Sequence, residues 1–161
     1  MRSRTSRTSL AIFAALTCAA TVQAGSQRPV DIPERLRGAE RVVVAEVARV
    51  DARFQRNRFG DELIVSRVLL RVSETLKGAP APTLTMELEG GTVGEVTLRV
   101  TDLEPLETGD CAVFFLDRGQ ADLHVPHLRG QGILKLDDMN RVKGTSLTLD
   151  MIREMARTAG Q

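Results

Sequence analysis

The sequence predicts a mainly β protein, a small barrel of five to seven antiparallel strands with one α-helix at the C-terminal end. Three observations carry this. Apolar residues alternate at strand period from Arg41 to Leu136, and helical spacing of apolar residues is confined to the last stretch, from Leu149 to Ala156. Breaks rich in glycine and proline separate the strand-like runs, at Gly60, Gly78 to Pro82, Gly90 to Gly94, Gly109 and Gly130 to Gly132.

The N-terminal segment predicts an address. Arg2, Arg4 and Arg7 precede an apolar run from Leu10 to Val22, and Val22-Gln23-Ala24 forms a small-x-small cleavage pattern. Residues 1–24 are therefore expected to be a signal peptide cleaved near Ala24, with a periplasmic or secreted product. The apolar run falls short of the roughly 18 residues of a spanning helix. Cys18 follows Ala15-Leu16-Thr17, which lacks both the leucine three positions back and the small neighbour of a lipid-attachment site.

Of the two cysteines in the chain, cleavage would leave only Cys111, so no intrachain disulfide is expected. The formal charge of +1 would turn negative once the three leader arginines are gone. Basic residues dominate 25–78 and acidic residues dominate 79–122, an asymmetry that serves solubility or steers a charged partner. Residues 25–37, with Pro29 and Pro33, read as a polar leader. Residues 38–158 read as a single barrel domain.

The elements follow in order. From Arg41 to Phe54, Val43, Ala45 and Val47 hold one phase and Val50, Ala52 and Phe54 the other, so one long strand should bulge near Ala48. Gln55 to Gly60 reads as a loop, and Glu62 to Ser73 as a second strand with Ile64, Val68, Leu70 and Val72 inward. Leu84, Met86 and Leu88 give a third strand a core face, and Val96, Leu98 and Val100 a fourth, joined by a hairpin-like turn at Gly90 to Gly94. Cys111 to Leu116 is apolar on both faces and should be central. Leu123 to Leu128 and Ile133 to Leu136 are shorter strands. Thr148 is the expected N-cap of the helix, Asp150 sits in its first turn, and Leu149, Ile152, Met155 and Ala156 share a face.

A long bent first strand, a meander and a capping helix together suggest a nearly closed barrel of the OB type. Arg41-Val-Val-Val-Ala-Glu-Val47, Val72-Ser-Glu-Thr-Leu-Lys-Gly78 and Glu107-Thr-Gly-Asp-Cys-Ala-Val-Phe-Phe-Leu116 resemble the netrin-like (TIMP-like) OB domains. The nearest resemblance is to exported bacterial proteins that share the Gly-Gly-x-Val-Gly turn, here Gly90 to Gly94. It spans residues 38 to 158 and implies a fold. The best-known members of that superfamily inhibit metalloproteinases through an N-terminal cysteine on the catalytic zinc. Here the cleaved chain would begin at Gly25, with its cysteine deep in the sequence at Cys111. That mechanism does not transfer, and no functional residue does.

Candidate sites are few. Asp122, His124 and His127 superficially suggest metal, but strand positions three apart face opposite sides and no third strong ligand is near. Cys111 opens the most apolar strand and reads as a buried, hydrophobe-like thiol. Asp102, Glu104, Glu107 and Asp110 lack the spacing of a calcium loop and read as a solvated acidic loop. Gly90 to Gly94 is followed by no Lys-Ser/Thr pair and no helix, so it is a turn and not a phosphate loop. The least ordinary feature is a set of arginines, Arg49, Arg53, Arg56, Arg58, Arg67 and Arg71. Pairing of the first two strands about their loop would bring Arg49 near Arg67 and make a basic patch for an acidic partner or anionic envelope surface.

The expected function is therefore non-enzymatic: an exported binding or accessory module that contacts another envelope or secreted protein, with no catalytic residue, metal or cofactor assigned. The resemblance alone suggests an alternative, an inhibitor or companion of an exported metalloprotease acting without the cysteine mechanism. Nucleic acid is not an expected partner, because single-strand binders stack bases on exposed aromatics and the chain has neither Trp nor Tyr.

Overall fold

The first strand is the spine of the molecule. In the computed structural model, which describes residues 31–57 and 59–159, β1 runs from Arg41 to Arg56 and pairs antiparallel with β2, Glu62–Lys77. Its first six residues, Arg41 to Glu46, also pair antiparallel with β6, Cys111–Arg118. β2 pairs with β3, Thr83–Glu89, which meets β7, His124–Pro126, in the parallel sense at Met86 and His124. β7 then pairs with β6, so the hydrogen bonding returns to β1 and the sheet forms a ring. The expected all-antiparallel arrangement is corrected at this one step. The expected signal peptide of residues 1–24 and Arg58 lie outside the described residues.

The bulge falls where the change of phase places it. Val47 opposes Leu70 and Arg49 opposes Leu69, which leaves Ala48 as the extra residue. Val43, Ala45 and Val47 point into the ring before the bulge, and Val50 packs against the same core after it. There they meet Val68, Leu70, Leu84, Met86, Leu88, Phe114 and Leu116.

The other phase of the same strands builds a second core. Val42 and Val44 of β1 lie beside Phe115 and Val113 of β6, and Leu36, Leu149 and Ile152 cover them from two helices. These are α1, Ile32–Gly38, and α2, Leu149–Ala159, which pack against one another. β6 is thus buried on both faces, as its unbroken apolar run requires. The Thr148 hydroxyl accepts the Met151 amide at 3.3 Å and caps α2 as expected.

α1 replaces part of the expected polar leader. The ammonium of Lys77, at the far end of β2, donates to the carbonyls of Leu36, Arg37 and Ala39 at 2.8, 2.9 and 2.6 Å. A seven-residue helix is marginal alone. It persists because Pro33 favours its first turn, Leu36 is buried, and a cation satisfies its last carbonyls.

Two further corrections concern short strands. β4, Gly91–Val93, and β5, Val96–Leu98, form a separate ribbon about a Gly94-Glu95 turn. The expected core face of Val96, Leu98 and Val100 does not exist as such, because Val96 is 53% exposed. β7 and β8, Ile133–Lys135, pair with one edge of β6 at opposite ends, as halves of a strand broken by a 3-10 turn at Arg129–Gly132. Gly130 there has no room for a Cβ, which would strike the Asp102 carbonyl.

Replacing Lys77 with Met leaves three carbonyls of α1 without their donor. The expected cost is about 2 kcal/mol in urea unfolding, with faster amide exchange at Leu36 to Ala39 and little change in β3. An unchanged unfolding midpoint contradicts the role given to Lys77.

Candidate functional site

The candidate site is a cleft of about 550 Å³ at one mouth of the ring. It arises from three local events. The Ala48 bulge turns Val50 and Ala52 inward, beside Ser66 and Val68 of β2. Gly90 and Gly91, at φ +101° and +133°, then swing the chain off the end of β3 and across the mouth. Any Cβ on Gly91 would collide with the Ser66 hydroxyl and stand 3.0 Å from Ala52 Cβ, so only glycine lets the backbone enter here. Ser66 is buried and its hydroxyl donates to the Gly90 carbonyl at 2.7 Å, which fixes the crossing.

The loop from Thr101 to Asp110 closes the opposite wall with Leu103, Pro105 and Leu106, and exposed Arg99 and Glu107 stand at the rim. Two cations hold this loop. Lys135 of β8 lies 2.9 Å from Asp110 and 3.3 Å from Glu104, and donates to the Pro105 carbonyl at 2.7 Å. Arg129 lies 2.6 Å from Asp102 and 3.1 Å from Glu89. The acidic cluster is thus the outer layer of the cleft wall, its carboxylates largely spent on structure.

The electrostatics follow from these contacts. Partial burial pushes the Asp110 carboxyl up, but hydrogen bonds from Lys135 and the Glu107 amide, with the nearby Lys135 and Lys143 charges, outweigh it and the net shift is down. Burial likewise pushes the Lys135 ammonium down, and the Asp110 and Glu104 carboxylates more than reverse it. The Arg129 hydrogen bond lowers Asp102 in the same way.

The arginine set lands elsewhere, away from the cleft, and its described members on β1 and β2 lie beside carboxylates. Arg49, Arg53, Arg67 and Arg71 lie on the outer face of β1 and β2, each against a carboxylate: Asp51 at 2.7 Å, Glu87 at 3.3 Å, Glu87 at 3.5 Å and Glu46 at 3.5 Å respectively. Arg67 opposes Asp51, and Arg49 opposes Leu69. The expected juxtaposition of Arg49 and Arg67 fails because the Asn57 side chain sets the turn. Its oxygen accepts the Phe59 and Asp61 amides, both at 2.9 Å, and so centres the hairpin on Phe59, one residue further along. Arg56 opposes Glu62, and Arg58 lies outside the described residues. The described part is a lattice of exposed pairs in which Arg53 and Arg67 share Glu87, so that four arginines meet three carboxylates, each contact of small energetic weight.

The remaining candidates separate. His124 Nδ1 lies 3.4 Å from the Thr85 carbonyl, whereas His127 Nδ1 lies 2.8 Å from Asp117 and its far edge abuts Gly38. The two imidazoles do not converge, and Asp122 sits in the loop before β7. Among the described residues no group of three or more His, Cys, Asp or Glu side chains is placed to hold a metal. Cys111 is exposed, contrary to the buried thiol expected, because it opens β6 opposite Glu46, outside the double layer that covers Ala112 to Leu116. No helix among the described residues is long and apolar enough to cross a membrane.

No protein-family model matches this chain, and no curated protein matches it. The site is therefore read from its own geometry: a cleft of mixed lining, with Val50, Val68, Leu103 and Leu106 beside Ser66, Thr92 and Thr97, a charged rim and a stapled wall. Sequence reasoning missed it because its walls come from four separated segments. The signal within reach was the Gly90-Gly91 pair directly after a half-buried strand.

Lys135→Met should destabilise the protein by about 2 kcal/mol at neutral pH. The depressed Asp110 contributes stability that is complete above 3.8 and lost as pH falls through its lowered value. The raised Lys135 contributes stability that is complete below 10.5 and lost as pH rises through its elevated value. The difference between wild type and variant should thus be flat between those limits and shrink beyond both, as read by urea unfolding across pH. A difference that peaks inside the window contradicts the staple.

Proposed function

We propose that this protein is an exported, non-enzymatic binding module on an OB-type barrel of the netrin-like kind, which contacts another envelope or secreted protein through the cleft. The observation that carries this reading is the cleft itself. Its volume and its lining, in which Val50, Val68, Leu103 and Leu106 stand beside the hydroxyls of Ser66, Thr92 and Thr97, suit a partner side chain, and barrel mouths are a common place for such sites. The ring of five strands supports the OB-type reading, as do the long bent first strand that pairs at both sides and the helix laid over the outer face. The lining hydroxyls of Ser66, Thr92 and Thr97 have no histidine or lysine among the other lining residues to serve as a base, which supports binding over catalysis. Export rests on the arginine-led apolar segment of residues 1–24.

The test is site-specific photo-crosslinking in producing cells. A photoreactive residue at Leu98, in the cleft, should yield a discrete adduct with an exported protein, and one at Thr158, on the exposed face of α2, should not. Identical adduct patterns from the two positions, or none from Leu98, would overturn the reading.

A further inference from the structure

The cleft keeps two opposite charges unpaired at its rim. Three charged residues line it, Glu89, Arg99 and Glu107. Glu89 is held by Arg129 at 3.1 Å. Arg99, where the chain leaves the ribbon, and Glu107, on the stapled loop, make no side-chain ion pair or hydrogen bond with each other or with any other described residue. Two further cavities, of about 320 and 430 Å³, do not share this property. Their charged lining residues are Glu46 and Arg71, paired at 3.5 Å, and Arg153 and Glu74, paired at 2.7 Å.

The rest of the lining is of two kinds. Val50, Val68, Leu103 and Leu106 offer apolar surface, and Thr92 and Thr97 offer hydroxyls that lie 2.9 Å apart. A ligand with a single charge matches one rim group and is repelled by the other, a carboxylate by Glu107 and an ammonium by Arg99. A neutral apolar ligand gains nothing from either. A zwitterion satisfies both. The guanidinium fork takes a carboxylate through two parallel hydrogen bonds, and a carboxylate accepts from an ammonium. The threonine hydroxyls suit an amide placed between the two charges. The cleft volume of about 550 Å³ falls within the range of sites for small molecules.

We propose that the cleft binds a small zwitterion of dipeptide size with apolar side chains. Its carboxylate pairs with Arg99, its ammonium with Glu107, its amide meets Thr92 and Thr97, and its side chains pack against Val68 and Leu106. The inference rests on the reading of the cleft as a binding site, and adds to it a free ligand that competes there with the partner's side chain.

The probe is leucyl-leucine, titrated into the full chain and followed by calorimetry and methyl NMR. Two analogues accompany it: N-acetyl-leucyl-leucine, which lacks the ammonium, and leucyl-leucinamide, which lacks the carboxylate. The zwitterion should bind about tenfold tighter than either analogue, since each has lost one charge-assisted contact, and should shift the methyls of Val68 and Leu106. Arg99→Gln should weaken leucyl-leucine about tenfold and strengthen the amide analogue; Glu107→Gln should weaken leucyl-leucine likewise and strengthen the acetylated one. Both side chains are exposed, so neither variant touches the core. Equal affinity for the three probes overturns the proposal. So does equal affinity of leucyl-leucine for wild type and both variants, or shifts confined to residues outside the cleft. A Leu98 adduct in cells without dipeptide binding overturns the zwitterion and leaves the binding-module reading standing. Dipeptide binding without that adduct does the reverse.

Discussion

One strand must curl far enough to hydrogen-bond at both sides, and the rest of the molecule depends on it. β1 meets β2 along its length and β6 along its first six residues, so it closes the ring. A flat strand cannot do this. The extra residue at Ala48 and two further register shifts, at Val42/Val43 and Val44/Ala45, supply the bend and added twist. Closure also demands that the first half of β1 be apolar on both faces. Val43, Ala45 and Val47 fill the ring while Val42 and Val44 seat the helices. Beyond the bulge the strand leaves β6 and becomes one wall of the cleft, so a single element does the work of closure and then of exposure.

Polar groups in this structure lock the covering pieces onto that frame. Lys77 holds the end of α1, Arg153 reaches Glu74 of β2 at 2.7 Å from α2, and Lys135 and Arg129 pin the loop before β6. Each staple joins segments far apart in sequence, and each keeps a charge partly out of water with more than one partner. Such arrangements fix position more than they add net stability. Consecutive left-handed residues at Leu128 and Arg129, φ +53° and +57°, show the cost of breaking the last ring strand to place Arg129 against Asp102.

Much of the frame was legible in periodicity. The phase switch at Ala48, the doubly buried Ala112 to Leu116 and the Thr148 cap all come from local rules that burial enforces. The failures share a cause, a distant or side-chain contact overriding a local pattern. Asn57 moved the centre of the β1–β2 hairpin by one residue and turned an expected Arg49–Arg67 opposition into Arg67 against Asp51. Gly90 and Gly91 took the chain over the mouth where a simple hairpin was expected, and so exposed Val96. Residues 32–38 became helical because Lys77, some forty residues later, satisfies their carbonyls. Cys111 reads as core by company, yet it stands one position outside the covered stretch. Of the cleft only the Gly90-Gly91 pair was visible before the fold, since the rest exists only where the ribbon, the bulge and the stapled loop meet.

The division of β1 into a closing half and an exposed half has a consequence for local stability. Residues 42–47 are held from two sides and covered on both faces, whereas residues 53–56 pair only with β2. Opening of the far half therefore need not disturb the ring. Native-state amide exchange resolved along β1 measures this directly. Val42 to Val47 should exchange with Val113 to Leu116, only through global unfolding, while Arg53 to Arg56 exchange through local opening at much lower free energy. Uniform protection from Val42 to Arg56, or a first half that exchanges as readily as the second, would contradict it.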